Sequence, residues 1–123
     1  MIVDDMPHVR QSLTNILELA SMRKELGIEV IGEAQNGVEA IIQAHKLCPD
    51  VILMDLEMPI MDGYQATRSL KNTDRPVWIV ILSIHGDPLS RQKATQAGAD
   101  AFVEKGAPLD ELIQSIQNGR RTT

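Results

Sequence analysis

The amino-acid sequence predicts an α/β fold: a doubly wound, five-stranded parallel sheet with helices on both faces. Three observations carry that expectation. Short apolar runs bounded by turn residues, such as Val51-Ile52-Leu53-Met54 between Pro49-Asp50 and Pro59, have the length and unbroken apolarity of strands covered on both sides. A stretch with apolar residues at helical spacing follows each run, so strand and helix alternate. The connections are short, and parallel strands joined this way need right-handed crossovers.

Ile2-Val3 is the stub of a first strand, ending at the acidic pair Asp4-Asp5. Pro7 suits the first turn of a helix expected to reach Leu26, with Val9, Leu13, Ile16, Leu17 and Ala20 on its apolar face and Gly27 as its stop. Ile28 to Ala34 reads as the second strand. Asn36-Gly37 then turns the chain into a second helix that presents Ile41, Ala44 and Cys48 on one face and ends at Pro49. The strand from Val51 runs into Asp55, and the turn Met58 to Gly63 leads to a third helix with Tyr64, Thr67 and Leu70 facing inward. Val77 to Leu82 is a fully apolar fourth strand ending at Ser83. Asp87 and Pro88 cap and open a fourth helix to Gly98, with only Leu89, Ala94 and Ala97 to anchor it. Ala101 to Val103 forms the fifth strand, ending near Lys105, and Pro108 opens a fifth helix with the stripe Leu109, Leu112, Ile113 and Ile116. The expected strand order is 2-1-3-4-5, the flavodoxin-like three-layer arrangement. Residues 1–118 are expected to form one domain and 119–123 a polar, frayed tail or the start of a linker.

Composition narrows the function. Of 123 residues, 43% are hydrophobic and 24% charged, as in ordinary soluble domains, and no run is long enough to cross a bilayer. No secretory segment is visible, so the expected location is the cytoplasm. A net charge of −5 argues against direct contact with nucleic acid. Cys48 is the only cysteine, which excludes an internal disulfide or a cysteine-rich zinc site, and it reads as a small buried apolar group. His8, His45 and His85 lack metal-ligand spacing.

The strands of a parallel sheet share one C-terminal edge, and here that edge collects Asp4, Asp5, Asp55, Ser83 and Lys105. A single strand-end Asp more often just begins a loop. Three carboxylates brought together repel, however, and a hard divalent cation such as magnesium, held by carboxylates, waters and a phosphate, relieves that repulsion. Each residue type suits phosphoryl chemistry. A carboxylate can attack phosphorus to give an acyl phosphate, a Lys ammonium can neutralise a phosphoryl oxygen, and a Ser hydroxyl can donate to another.

At these residues the chain resembles the CheY-like receiver domains of two-component response regulators, over essentially its whole length. The resemblance rests on Asp4-Asp5-Met6-Pro7, the run PDVILMDLEMPIMDG, Ser83 after an apolar strand, and FVEKG after GADA. IGEAQNGVEA and VILSIHGD are most similar to the NarL/LuxR-like subgroup. The resemblance implies Asp55 as phosphoacceptor, and magnesium bound directly by Asp5, Asp55 and the Glu57 backbone carbonyl, with Asp4 acting through water. It also implies that Lys105 pairs with the acidic cluster, while Ser83 and the aromatic Phe102 respond to phosphorylation. The implied phosphodonors are a sensor histidine kinase, a phosphotransfer protein or a small molecule, and homodimers are expected on phosphorylation. No membrane is involved, and the chain is not expected to be an enzyme beyond phosphorylating and dephosphorylating its own Asp55. The face of the fourth helix, fifth strand and fifth helix would change partner affinity and control transcription through an output domain outside this chain.

Two residues depart from the family pattern. Gly106 stands where many receivers carry a proline, and Ile84 is bulky where a small residue is common, so it is expected to narrow access to Asp55. Both keep a second reading in play, a phosphorylation-independent pseudo-receiver that serves as an interaction module. An Asp-nucleophile phosphatase is disfavoured because its motif belongs on the first strand. Flavin binding is suggested by fold alone.

Overall fold

The alternation of apolar runs and amphipathic stretches becomes five strands and five helices in the computed structural model, which describes residues 1–24 and 26–120. In order they are β1 (Ile2–Val3), α1 (Pro7–Lys24), β2 (Glu33–Ala34), α2 (Gly37–Leu47), β3 (Val51–Met54), α3 (Gly63–Lys71), β4 (Trp78–Ser83), α4 (Pro88–Ala97), β5 (Ala101–Glu104) and α5 (Leu109–Arg120). All strand pairs are parallel, and the order is β2-β1-β3-β4-β5 as the sequence predicts.

Strand side chains alternate between the two faces. Ile52, Met54, Ile79 and Ile81 meet Ala40 of α2, Ala66 and Leu70 of α3 and Ala94 of α4. Leu53, Val80, Leu82 and Val103 meet Leu17 of α1 and Leu112 and Ile116 of α5. Apart from Ser83 at the end of β4, β3 and β4 are apolar at every position, because both faces are covered. Three helices start just beyond strand ends, each with its cap in place: Asn36 accepts from Glu39 N, Asp62 forms a capping box with Gln65, and Asp87 accepts from Ser90 N. Such caps contribute about 0.5–2 kcal/mol each and fix where the strand-end loops turn.

Several local expectations differ. The second strand is only Glu33–Ala34, not Ile28 to Ala34, because β1 offers two residues to pair with; Ile2 N donates to Gly32 O and Asp4 N to Ala34 O, both at 3.1 Å. Ile28 and Val30 still pack against the α1 and α5 side. Cys48 is not a buried helix residue. It is the C-cap of α2 in the left-handed region (φ 48), which turns its side chain off the helix face and leaves it exposed. Leu89 and Leu109 occupy the first turns of α4 and α5 and are 59% and 38% exposed, so α4 is anchored by Ala94 and Ala97 alone among its apolar residues. Ile16, 43% exposed, borders an uncovered apolar groove of about 540 Å³ between α1 and α5. Ala66, which the sequence reading passed over, is fully buried on α3, while Tyr64 is half-buried.

No peptide bond among the described residues is cis, and Gly106 adopts φ 93, a conformation proline cannot reach. α5 continues through Gly119 to Arg120, and Glu25 and residues 121–123 of the expected tail lie outside the described residues. No helix among the described residues is long and apolar enough to cross a membrane.

Candidate functional site

Parallel pairing brings the ends of β1 and β3 side by side, and with them the acidic residues. Asp55 N donates to Val3 O at 2.9 Å, which sets the first residue beyond β3 against the end of β1. Oxygens of Asp4, Asp5 and Asp55 consequently lie within 4.8 Å of one another. Asp4 and Asp55 are buried, at 2% and 8% exposure, while Asp5 is open to solvent.

Lys105 reaches into this cluster from the end of β5. Its Nζ donates to Asp4 Oδ2 at 2.9 Å and stands 3.5 Å from Asp55 Oδ1. The lysine is aimed there by its own backbone, whose N–H donates to Ser83 O at 2.8 Å. Behind Asp55, the α3 helix begins at Gly63 in direct contact with the Asp55 carbonyl; a Cβ at Gly63 would collide with that oxygen and push the loop outward. Asp4 is held from below, since its Oδ1 accepts from Met6 N at 3.0 Å and its carbonyl accepts from Arg10 Nη1 at 2.8 Å.

Burial is the main influence on Asp55, raising its carboxyl to about 6; Lys105 opposes that rise, and the neighbouring charges of Asp4 and Asp5 add to it. For Lys105, burial favours the neutral amine, but the hydrogen bond with Asp4 and the charges of Asp55 and Asp4 outweigh it and hold the ammonium above its ordinary range. Three carboxylates facing one ammonium leave two negative charges in a confined, oxygen-only donor set. That composition fits a small hard divalent ion.

Of the residues singled out from sequence, Asp4, Asp5, Asp55 and Lys105 converge. Ser83 is buried at the end of β4, where its Oγ accepts from His85 N at 3.1 Å. Phe102 pairs in register with Ile81, so it lies on the same sheet face as Ser83 one strand over, half-buried against the cluster of Met54 and Ile81. The Glu57 carboxylate turns away from the cluster, 3.0 Å from His85 Nε2. Ile84 does not pack into the core, being 67% exposed beside Ser83.

Sequence reading missed three neighbours of the site. Arg10 braces Asp4 and pairs with Glu33 at 2.8 Å, His85 pairs with Glu57, and the guanidinium of Arg91 lies 4.6 Å from the centre of the Phe102 ring. Only the second left a trace in sequence: Glu57 and His85 each stand two residues beyond a strand-end site residue, Asp55 and Ser83, on neighbouring strands.

The sheet is flavodoxin-like, and its strand ends gather three aspartates and a lysine into a donor set that could hold a hard cation. The chain belongs to the response regulator receiver domain family, whose model matches residues 1–117. It is similar to the response regulator UvrY of Escherichia coli, 35% identical over 118 residues covering 96% of this chain and 52% of that one. It is also 34% identical to the response regulator GacA of Pseudomonas aeruginosa over 117 residues, covering 95% and 52%. Among solved structures, a LuxR-family two-component response regulator from an Aurantimonas species superposes with a TM-score of 0.86 at 33% identity, covering 96% of this chain and 81% of that one. The chain spans about half the length of the curated relatives it matches.

Proposed function

We propose that this domain is a phosphorylation switch in which Asp55 accepts a phosphoryl group from the phosphohistidine of a kinase or phosphotransfer protein, or from a small acyl phosphate. The observation that carries this reading is the Lys105 ammonium bridging the buried carboxylates of Asp4 and Asp55 at 2.9 and 3.5 Å, the one cation paired with Asp55 among the described residues. A purely structural ion pair would need one carboxylate, not three.

An Asp55 oxygen attacks phosphorus, the bond from phosphorus to the donor nitrogen or oxygen breaks with its electron pair leaving on the donor, and an acyl phosphate forms. Asp55 at about 6 is mostly ionised at neutral pH, so no separate base is required. Lys105 neutralises one phosphoryl oxygen, and the Ser83 hydroxyl donates to another. Asp5, Asp55 and the Glu57 carbonyl would hold magnesium directly and Asp4 through water; the ion supplies the remaining positive charge for the transferred group. As Ser83 turns toward the phosphoryl group, Phe102 moves inward on the same sheet face, and the surface of α4, β5 and α5 changes its affinity for partners, including a second copy of the domain. The output proposed from the resemblance to the NarL/LuxR-like subgroup is control of transcription through a domain outside this chain, which spans about half the length of its curated relatives.

The test is incubation with acetyl phosphate and magnesium followed by intact mass and peptide mapping. One added phosphate on Asp55, absent in Asp55→Asn, is expected; an unmodified chain would favour the phosphorylation-independent interaction module.

A further inference from the structure

The apolar hold on α4 is so small that something else must keep it in place, and Arg91 is the residue positioned to do so. Its backbone N donates to Asp87 O within the helix, but its side chain leaves α4 entirely. Nε donates to Gly86 O at 3.0 Å, Nη2 donates to Glu104 Oε1 at 3.0 Å, and the guanidinium plane covers the Phe102 ring at 4.6 Å. One side chain thus ties the β4–α4 loop, β5 and α4 together. Gly86 is packed so closely against the Glu104 carboxylate that a Cβ there would displace it, which confines Glu104 between the loop and the arginine.

We propose that Arg91 is a positioning residue that holds the Phe102 ring in its resting place beneath the guanidinium; this rests on the reading of Phe102 and Ser83 as the moving parts of the switch. Phe102 shares its sheet face with Ser83 and carries the guanidinium over its ring, so a turn of the ring toward Ser83 would part it from Arg91. When the β4–α4 loop shifts with Ser83, Gly86 O moves as well, so phosphorylation withdraws one of the arginine's three attachments while drawing the ring from another. The contacts are half-exposed, with Arg91 and Glu104 side chains 44% and 51% accessible, so the clamp is weak enough for a single phosphoryl group to release. Arginine suits this role better than lysine, whose ammonium cannot stack flat on a ring while also donating in two directions.

Phe102 is the only phenylalanine in the chain, so a fluorine-labelled phenylalanine gives one resonance that reports this ring alone. The full chain is compared as wild type, Arg91→Gln, Arg91→Lys and Glu104→Gln, each with magnesium and increasing beryllofluoride as the acyl-phosphate mimic. Arg91→Gln is expected to move the resting resonance toward the beryllofluoride position and to raise apparent beryllofluoride affinity by roughly three- to tenfold, the range a partly exposed cation–π contact and ion pair can supply. Glu104→Gln should give a smaller change in the same direction, and Arg91→Lys should restore only part of the wild-type behaviour. A wild-type resonance that beryllofluoride leaves in place overturns the switch itself. A responsive wild type with Arg91→Gln matching it in both resonance and affinity overturns the clamp alone.

Discussion

The two helices that flank β5 are held by opposite kinds of interaction. α5 buries Leu112, Ile113 and Ile116, each 5–7% exposed, and Trp78 Nε1 donates to Ser115 O at 3.0 Å from the neighbouring strand. α4 buries two alanines, and its remaining ties are polar: Arg91 to Gly86, Glu104 and Phe102, and the Tyr64 hydroxyl to Ser90 O at 3.5 Å. Buried aliphatic side chains contribute about 1.5–3 kcal/mol apiece, an alanine far less, and half-exposed polar contacts are worth at most about 1 kcal/mol each. The domain therefore pairs a helix that belongs to the global core with one that can shift without unfolding it. A signalling element needs the second kind, since only a small free-energy difference can be reversed by one phosphoryl group.

The strongest way to break this comparison is to cut into each helix. Ile116→Ala should cost about 2–5 kcal/mol in urea denaturation, since it empties a site in the core cluster that joins the sheet to Leu17 of α1. Amide hydrogen exchange should show the same contrast: Leu89 to Ala97 should open sub-globally, and Leu112 to Ile116 only with the whole fold. Equal protection of the two helices would remove the basis for assigning the output to α4.

The acidic cluster offers the next largest effect. Burial raises Asp55 to about 6 in the folded chain, against about 3.9 when unfolded, so between those values the folded state holds a proton that the unfolded state has released. The contribution of Asp55 to wild-type stability should therefore fall as pH rises from about 4 to 6. Asp55→Asn escapes that loss and should be more stable by up to about 3 kcal/mol at pH 8 in metal-free buffer, with the difference vanishing below pH ~4. A variant less stable than wild type at pH 8 would contradict the crowded-carboxylate geometry.

Magnesium should offset the negative charge that burial and the neighbouring aspartates make unfavourable. At about ten times its dissociation constant it adds roughly 1.4 kcal/mol to the wild type, seen as a rise in Tm, and chelation or Asp5→Ala should abolish the rise. Smallest of all is Leu89→Ala, which trims an exposed residue of α4 and should change stability by no more than about 0.5 kcal/mol. A larger loss in denaturation would mean that α4 is anchored through its first turn after all.

Much of this protein is legible in its sequence, and the reason is geometric. Alternating strand and helix patterns with short connections admit few topologies, and parallel strands must end on one edge, so Asp4, Asp5, Asp55, Ser83 and Lys105 were legible as residues of one edge. Capping residues such as Asn36, Asp62 and Asp87 were equally legible, because a cap depends on residues three positions apart.

What the chain's own order could not decide is which apolar surfaces find a cover and which side chains meet across elements. Periodicity places Leu89 and Ile16 on apolar faces, but their exposure depends on how far neighbouring elements extend over them. The length of β2 was decided by the two residues β1 presents to it, and the exposure of Cys48 by a left-handed cap that no local pattern announces. The stacking of Arg91 on Phe102 and the pairing of Glu57 with His85 join residues 11 and 28 positions apart. Sequence patterning set which edge of the sheet carries the chemistry, since strand direction alone fixes that; the tertiary structure decided how loosely the neighbouring helix is held, because that depends on the balance between buried area and polar ties across elements.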